Sequence, residues 1–305
     1  MRACALLFCC LFLALSGIFA SAAELPELPA AVSKSDWLPL ADHVDRGLQK
    51  ELQQQLNEHP AWRKLISGHK LAVGLVDLSD PAAPRFAQVN GEVEMYAASL
   101  PKIAILLAAF DQFEKGLLER TAEVEQDLGA MIRVSDNAAA TRMIDRLGGL
   151  MRVNEVLRDP RYRFYDEKRG GGLWVGKRYA KKGPRLPDPR NGISHAASVT
   201  QVCRLYYQLA TGRLISPAAS GDMLELLSEP AIEHKFVKTL HKRAPAAALY
   251  RKSGTWQRWH ADSVLVWGPQ WRRYILVALV ESPQGEEILR NLVGVAEDVL
   301  RSAND

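Results

Sequence analysis

Two β-rich stretches sit at opposite ends of this sequence with helical pattern between them, and that separation is the strongest constraint on the fold. Lys70 to Leu78 is rich in strand-forming residues. Arg85 to Val89 and Glu92 to Tyr96 flank Asn90-Gly91, a pair that favours the tight turn of a β-hairpin. Ala248 to Trp256, Asp262 to Trp267 and Arg273 to Glu281 read as three further strands, the last two joined through Gly268-Pro269-Gln270. Helical spacing marks residues 101–117, 122–133, 137–147, 199–210 and 218–228. Leu40, Val44, Leu48, Leu52 and Leu56 recur every four residues, so residues 40–58 read as an amphipathic helix. Residues 285–302 close the chain as a helix, with Glu286 and Glu287 at its start and Arg301 at its end, as the helix dipole favours. Strands this far apart are expected to form one antiparallel sheet built from both ends of the chain. The helical middle, about 98–215, is then a second lobe, and the fold class is α+β.

The chain opens with Met1-Arg2, an apolar run from Ala3 to Phe19 and the small residues Ala20-Ser21-Ala22-Ala23, the pattern of a secretory signal peptide. Residues 1–22 are read as that leader, and the protein as periplasmic or secreted. The run is at the short end for a membrane span, and Phe8 before Cys9 is too bulky for a lipoprotein signal. Cleavage near Ala22 leaves Cys203 as the sole thiol, which excludes an internal disulfide framework. Residues 23–305 are read as a single domain held by its core. A content of 48% apolar and 24% charged residues agrees with that.

Three short motifs carry the chemistry. Ser99-Leu100-Pro101-Lys102 precedes a helix whose first turn tolerates Pro101, and puts Ser99 and Lys102 three residues apart on one face. A serine hydroxyl is a poor nucleophile until a neighbour takes its proton, which a desolvated lysine can do. Ser135-Asp136-Asn137 lies between two helical segments, where each of the three residue types can cap a helix. Lys252-Ser253-Gly254-Thr255 lies on a strand, where the lysine offers charge and the glycine permits close approach to the backbone.

In this order the three motifs resemble the S-x-x-K, S-D-N and K-[ST]-G set of class A β-lactamases and penicillin-binding proteins. Leu128 to Val134 and Leu147-Gly148-Gly149 are also similar to that family. The resemblance implies a β-lactamase-like fold: an antiparallel five-stranded sheet flanked by helices, plus an all-helical lobe. It implies Ser99 as nucleophile, Lys102 as proton acceptor and Ser135 as proton relay to the leaving group, with an oxyanion hole from the N–H groups of Ser99 and Thr255. Asn137, Lys252, Ser253, Gly254 and Thr255 then bind substrate, Lys252 and Ser253 through a carboxylate, and Asp136 is structural. The expected substrate is a small β-lactam or a peptidoglycan peptide, so β-lactam hydrolysis and D,D-peptidase cleavage both stand. No cofactor or metal is implied, and a monomer is expected.

The sequence departs from the family in two places. A glutamate in an E-x-x-x-N context that activates the deacylating water is not found, and the stretch from Ser99 to Ser135 is short for the family. Asp166, Glu167 and His260 are the substitutes on offer, His260 reading rather as a buried or hairpin-stabilising residue. An acyl-enzyme is therefore expected to persist. The alternative is a non-hydrolytic protein that binds peptidoglycan or a β-lactam; Ser99, Lys102 and Ser135 together argue for the enzyme. Residues 161–190 hold ten Lys or Arg against three acids, interleaved with Tyr162, Phe164, Tyr165, Trp174 and Tyr179. Such a loop beside the site could grip an anionic cell-envelope polymer. An exported protein makes nucleic acid an unsuitable partner.

Overall fold

The computed structural model describes residues 27–269 and 271–302; the leader read at residues 1–22 lies outside them. Helix α1 (Arg46–Asn57) is capped by Asp45, whose carboxylate accepts the Leu48 N–H at 2.7 Å, and buries Leu48, Leu52 and Leu56. The expected helix over 40–58 is thus divided, because Leu40–His43 forms a separate 3-10 turn. Helix α2 (Pro60–Ser67) leads into β1 (Leu71–Asp77), followed by β2 (Arg85–Val89) and a two-residue strand, β3 (Met95–Tyr96). The helical stretch holds α3 (Lys102–Glu114), α4 (Ala122–Arg133), α5 (Asn137–Arg146) and α6 (Leu150–Arg158). Short strands β4 (Tyr165–Asp166), β5 (Gly171–Gly172), β6 (Trp174–Val175) and β7 (His195–Ala197) organise the basic loop. The chain ends with α7 (Val199–Ala210), α8 (Pro217–Leu227), α9 (Lys235–Arg243), β8 (Ala248–Trp256), β9 (Trp259–Trp267), β10 (Arg273–Glu281) and α10 (Gly285–Ser302).

The main sheet is antiparallel and five-stranded, in the order β2-β1-β10-β9-β8, so the two ends of the chain meet at β1 and β10 as expected. Alternate side chains point to opposite faces. Leu71, Val73, Leu75, Leu276, Ala278 and Val280 join the cluster that includes α1, α9 and α10, while Ala72, Val76, Ile275, Val277 and Leu279 join the one that includes α3 and α7. Both faces are therefore covered. Helix α7 packs on β1 and β10, and Gly74 permits the approach, since a Cβ there would lie 2.6 Å from Cys203 Sγ.

The expected hairpin at Asn90-Gly91 does not form. β2 pairs with β1 and, through Phe86, makes an isolated bridge to Val44, whereas β3 leaves the sheet edge to pair with β7, which also pairs with β6. Asn90 does take the left-handed conformation that suggested a turn (φ 54°). Its amide, however, donates to Ile66 O at 2.8 Å and Leu71 O at 2.9 Å, tying the bend to α2 and β1.

Candidate functional site

Ser99 follows Ala98, a non-glycine residue with φ 50°, in a tight turn where Leu100 N–H donates to Ala97 O at 3.0 Å. This turn rests on the third motif. A Cβ at Gly254 would lie 2.1 Å from Ala97 O and 2.7 Å from Ser99 N. One body that the missing side chain admits is the chain's own turn bearing Ser99.

Lys102 opens α3, a helix buried on every side through Asp111, and is itself fully buried. Its Nζ donates to Ser135 O at 2.6 Å and Asn137 Oδ1 at 2.8 Å, with Ser135 Oγ at 3.3 Å. The Tyr179 ring lies over the same nitrogen, 4.5 Å to its centroid. Burial pushes Lys102 down to about 7, with the charge of Asp136 opposing the fall. A lysine so poised can exchange a proton near neutral pH.

Ser135 also holds a left-handed backbone (φ 59°), which swings it between the first and third motifs. Lys252 Nζ donates to Ser135 Oγ at 2.9 Å and to Ser253 O at 3.0 Å. One hydroxyl thus lies against the side-chain nitrogens of both lysines, and burial together with repulsion from Lys102 holds Lys252 well below the usual lysine range. Asp136 accepts the Ala139 N–H at 2.6 Å and caps α5. Ser253 Oγ lies 3.1 Å from His234 Nε2, and burial pushes His234 down to about 4, so that its ring is neutral.

Ser99, Asn137 and Thr255 line an open cleft of about 840 Å³, with Tyr96, Tyr179, His195, Trp256 and Trp259 as aromatic walls. Lys102, Ser135, Lys252 and Ser253 stand behind that surface, joined to it through the hydrogen bonds above. The basic loop forms the rim with Lys177, Arg178, Lys181 and Arg185. Arg178 is paired with Asp145 at 2.5 Å, while Lys181 and Arg185 are exposed. His195 stacks on Tyr179 with ring centroids 4.3 Å apart and planes 3° apart. Burial pushes it down to about 3, which makes it a neutral wall and a weak base.

Among the described residues lining the cleft there is no carboxylate. Asp166 caps a short 3-10 turn, Glu167 is exposed, and His260 is buried against Gly285, so none of the three substitutes for the family glutamate reaches the cleft. Among the described residues no cluster of three or more metal-binding side chains occurs.

Two residues at this site carry no motif. Tyr179 looks, from sequence, like one aromatic of the basic loop. Lys235 lies in a segment with no recognised pattern, yet its Nζ donates to Gly254 O at 2.6 Å, Thr255 Oγ1 at 2.7 Å and Ala261 O at 3.0 Å.

The sequence matches the model of the beta-lactamase enzyme family over residues 51–127 and 120–301. Among curated proteins no sequence matches the chain. Of solved structures, PBP-A is similar with a TM-score of 0.62 at 21% identity, over 85% of this chain and 96% of that one. A single-residue mutant of PBP-A, captured as an acyl-enzyme complex with penicillin G, also scores 0.62 at 21% identity, over 88% and 98%. A beta-lactamase from Sphaerobacter thermophilus DSM 20745 scores 0.62 at 16% identity, over 84% and 96%. At these identities the likeness speaks for the fold.

Proposed function

This chain belongs to the beta-lactamase enzyme family, and we propose that it is an exported serine hydrolase that acylates readily and deacylates slowly. Its substrates are β-lactams or the amides of cell-wall peptides. The observation that carries the reading is the hydrogen-bonded chain Lys102–Ser135–Lys252 behind Ser99, its two lysines buried.

The steps follow from that chain. Neutral Lys102 takes the Ser99 hydroxyl proton as Oγ bonds to the substrate carbonyl carbon. The N–H groups of Ser99 and Thr255 receive the developing oxyanion. The carbon–nitrogen bond then breaks, and the proton passes from Lys102 through Ser135 Oγ to the leaving nitrogen. Lys252 stands beside Ser135, where a substrate carboxylate would lie and would favour its charged form, with Ser253 and Asn137 as hydrogen-bonding partners. Hydrolysis of the ester needs an activated water; a described cleft wall without a carboxylate, and Tyr179 over Lys102, support slow deacylation.

The described cleft wall without a carboxylate favours a second reading, a protein that captures peptidoglycan or a β-lactam without turnover. The exposed Lys181 and Arg185 on the rim suit an anionic cell-envelope polymer in either case. The leader-like start supports a periplasmic or secreted location. Stopped-flow kinetics with a chromogenic cephalosporin separates the readings. An enzyme of this kind gives a burst of about one product per protein followed by slow turnover. A pure binder gives no burst, and rapid steady turnover would contradict the slow deacylation.

A further inference from the structure

Lys235 is fully buried and carries φ 52°, a backbone conformation that a lysine holds only where its surroundings fix it. Its ammonium has three N–H groups and meets three acceptors, Gly254 O, Thr255 Oγ1 and Ala261 O, at 2.6, 2.7 and 3.0 Å. The residue after it is anchored as well: Phe236 N–H donates to Asp262 Oδ2 at 3.1 Å, and Asp262 pairs with Arg251 at 2.7 Å. Burial pushes Lys235 down to about 8, with the charge of Asp262 opposing the fall, so the cationic form prevails at neutral pH. A buried cation is costly to retain, and an apolar side chain would fill the space without that cost. Gly254 O belongs to the same peptide group as the Thr255 N–H, one of the two donors assigned to the oxyanion hole. The other side of Gly254 bears on the Ser99 turn, 2.7 Å from Ser99 N to a Cβ placed there.

We propose that Lys235 is a positioning residue for the oxyanion hole, its ammonium polarising the Gly254–Thr255 peptide group and strengthening the Thr255 N–H as a donor. A cation on the carbonyl oxygen draws electron density through the amide and leaves the N–H more positive, the polarisation that runs along hydrogen-bond chains. The bond to Thr255 Oγ1 fixes the same residue from its side chain. The effect is felt where negative charge develops, so it speeds acylation more than it tightens initial binding.

This inference rests on the acyl-enzyme reading above. The test is infrared difference spectroscopy of the penicillin acyl-enzyme, in which a stronger oxyanion hole lowers the ester carbonyl stretch, combined with the acylation rate. Lys235→Gln is expected to move the band to higher wavenumber and slow acylation about 10-fold to 100-fold, short of the ~10²–10³-fold for losing a donor outright. Lys235→Arg, which keeps the charge, is expected to hold the band near the wild-type position. A folded Lys235→Gln with wild-type band and rate overturns the proposal. Should that variant not fold, a Lys235→Arg band displaced to the position of an ester in water overturns it instead. Wild-type protein that forms no acyl-enzyme contradicts the hydrolase reading itself, a result distinct from both.

Discussion

The two walls of the cleft are built on opposite principles. The wall formed by the three motifs is backed by buried, hydrogen-bonded groups: Lys102, Lys252 and, beneath Gly254, Lys235 are buried, and with the half-buried Ser135 each sits among partners at 2.6–3.3 Å. The wall formed by the basic loop turns Lys181 and Arg185 to solvent and is held from behind by Asp188. That carboxylate accepts the Tyr165 hydroxyl and the N–H groups of Arg190, Asn191 and Ile193. Charges on the first wall are desolvated and act over short distances with large effect; those on the second are screened by water and salt. On the proposed reading the chemistry belongs to the motif wall, and the exposed loop wall is expected to influence which substrates reach it.

Changes that strike the motif wall should dominate. Lys102→Met is expected to slow acylation by about 10²–10⁴-fold, the range for a general base. In the wild type the acylation rate should climb as pH rises through about 7, because the proton-accepting form of Lys102 is the neutral one. Stopped-flow acylation from pH 5 to 9 checks both, and Lys102→Met should lack the climb. Gly254→Ala puts a methyl group 2.1 Å from Ala97 O and pushes on the Ser99 turn. A displacement of about 1 Å there costs ~10²-fold in rate, and the overpacking about 1–3 kcal/mol in stability. Acylation kinetics and urea denaturation of the variant measure the two losses.

The loop wall should respond more gently. Lys181→Gln with Arg185→Gln is expected to slow capture of an anionic substrate by about 10-fold at low salt, with little change for a neutral one. Repeating the measurement in high salt should erase the difference. Glu94 sharpens the comparison from behind. It accepts the Gly172 N–H at 2.9 Å and the Asn191 amide at 2.7 Å, and burial raises its carboxyl from 4.5 to about 7. The fold thus favours the protonated form, so this contribution is full below pH 4.5 and is lost as pH rises through about 7. Denaturation at pH 5 and pH 8 should show the wild type losing more stability than Glu94→Gln.

How much of this was legible in the sequence follows the same division. The sheet shared by both chain ends, and helices α4, α5, α7, α8 and α10, follow from patterns a few residues long. Where a side chain caps the start, as with Thr121, Asp136 and Ser216, the boundary is clear as well. Helices α2, α6 and α9 are 8, 9 and 9 residues long, too short for their apolar spacing to stand out from the sequence. Strands of two or three residues are too short to show a period, so the small sheets of the loop were invisible. The three motifs were readable because each is local. Tyr179 over Lys102, Lys235 beneath Gly254 and the pressure of Gly254 on the Ser99 turn arise only when distant segments meet.

The central claim is that Ser99 becomes acylated and stays so. Intact-mass spectrometry of the protein mixed with penicillin G, followed over hours beside Ser99→Ala, tests it most directly. The wild type is expected to gain the mass of one whole penicillin, mapped to Ser99, persisting for hours and missing from Ser99→Ala. An equal adduct on Ser99→Ala, or hydrolysed penicillin with no lasting adduct on the wild type, would contradict it.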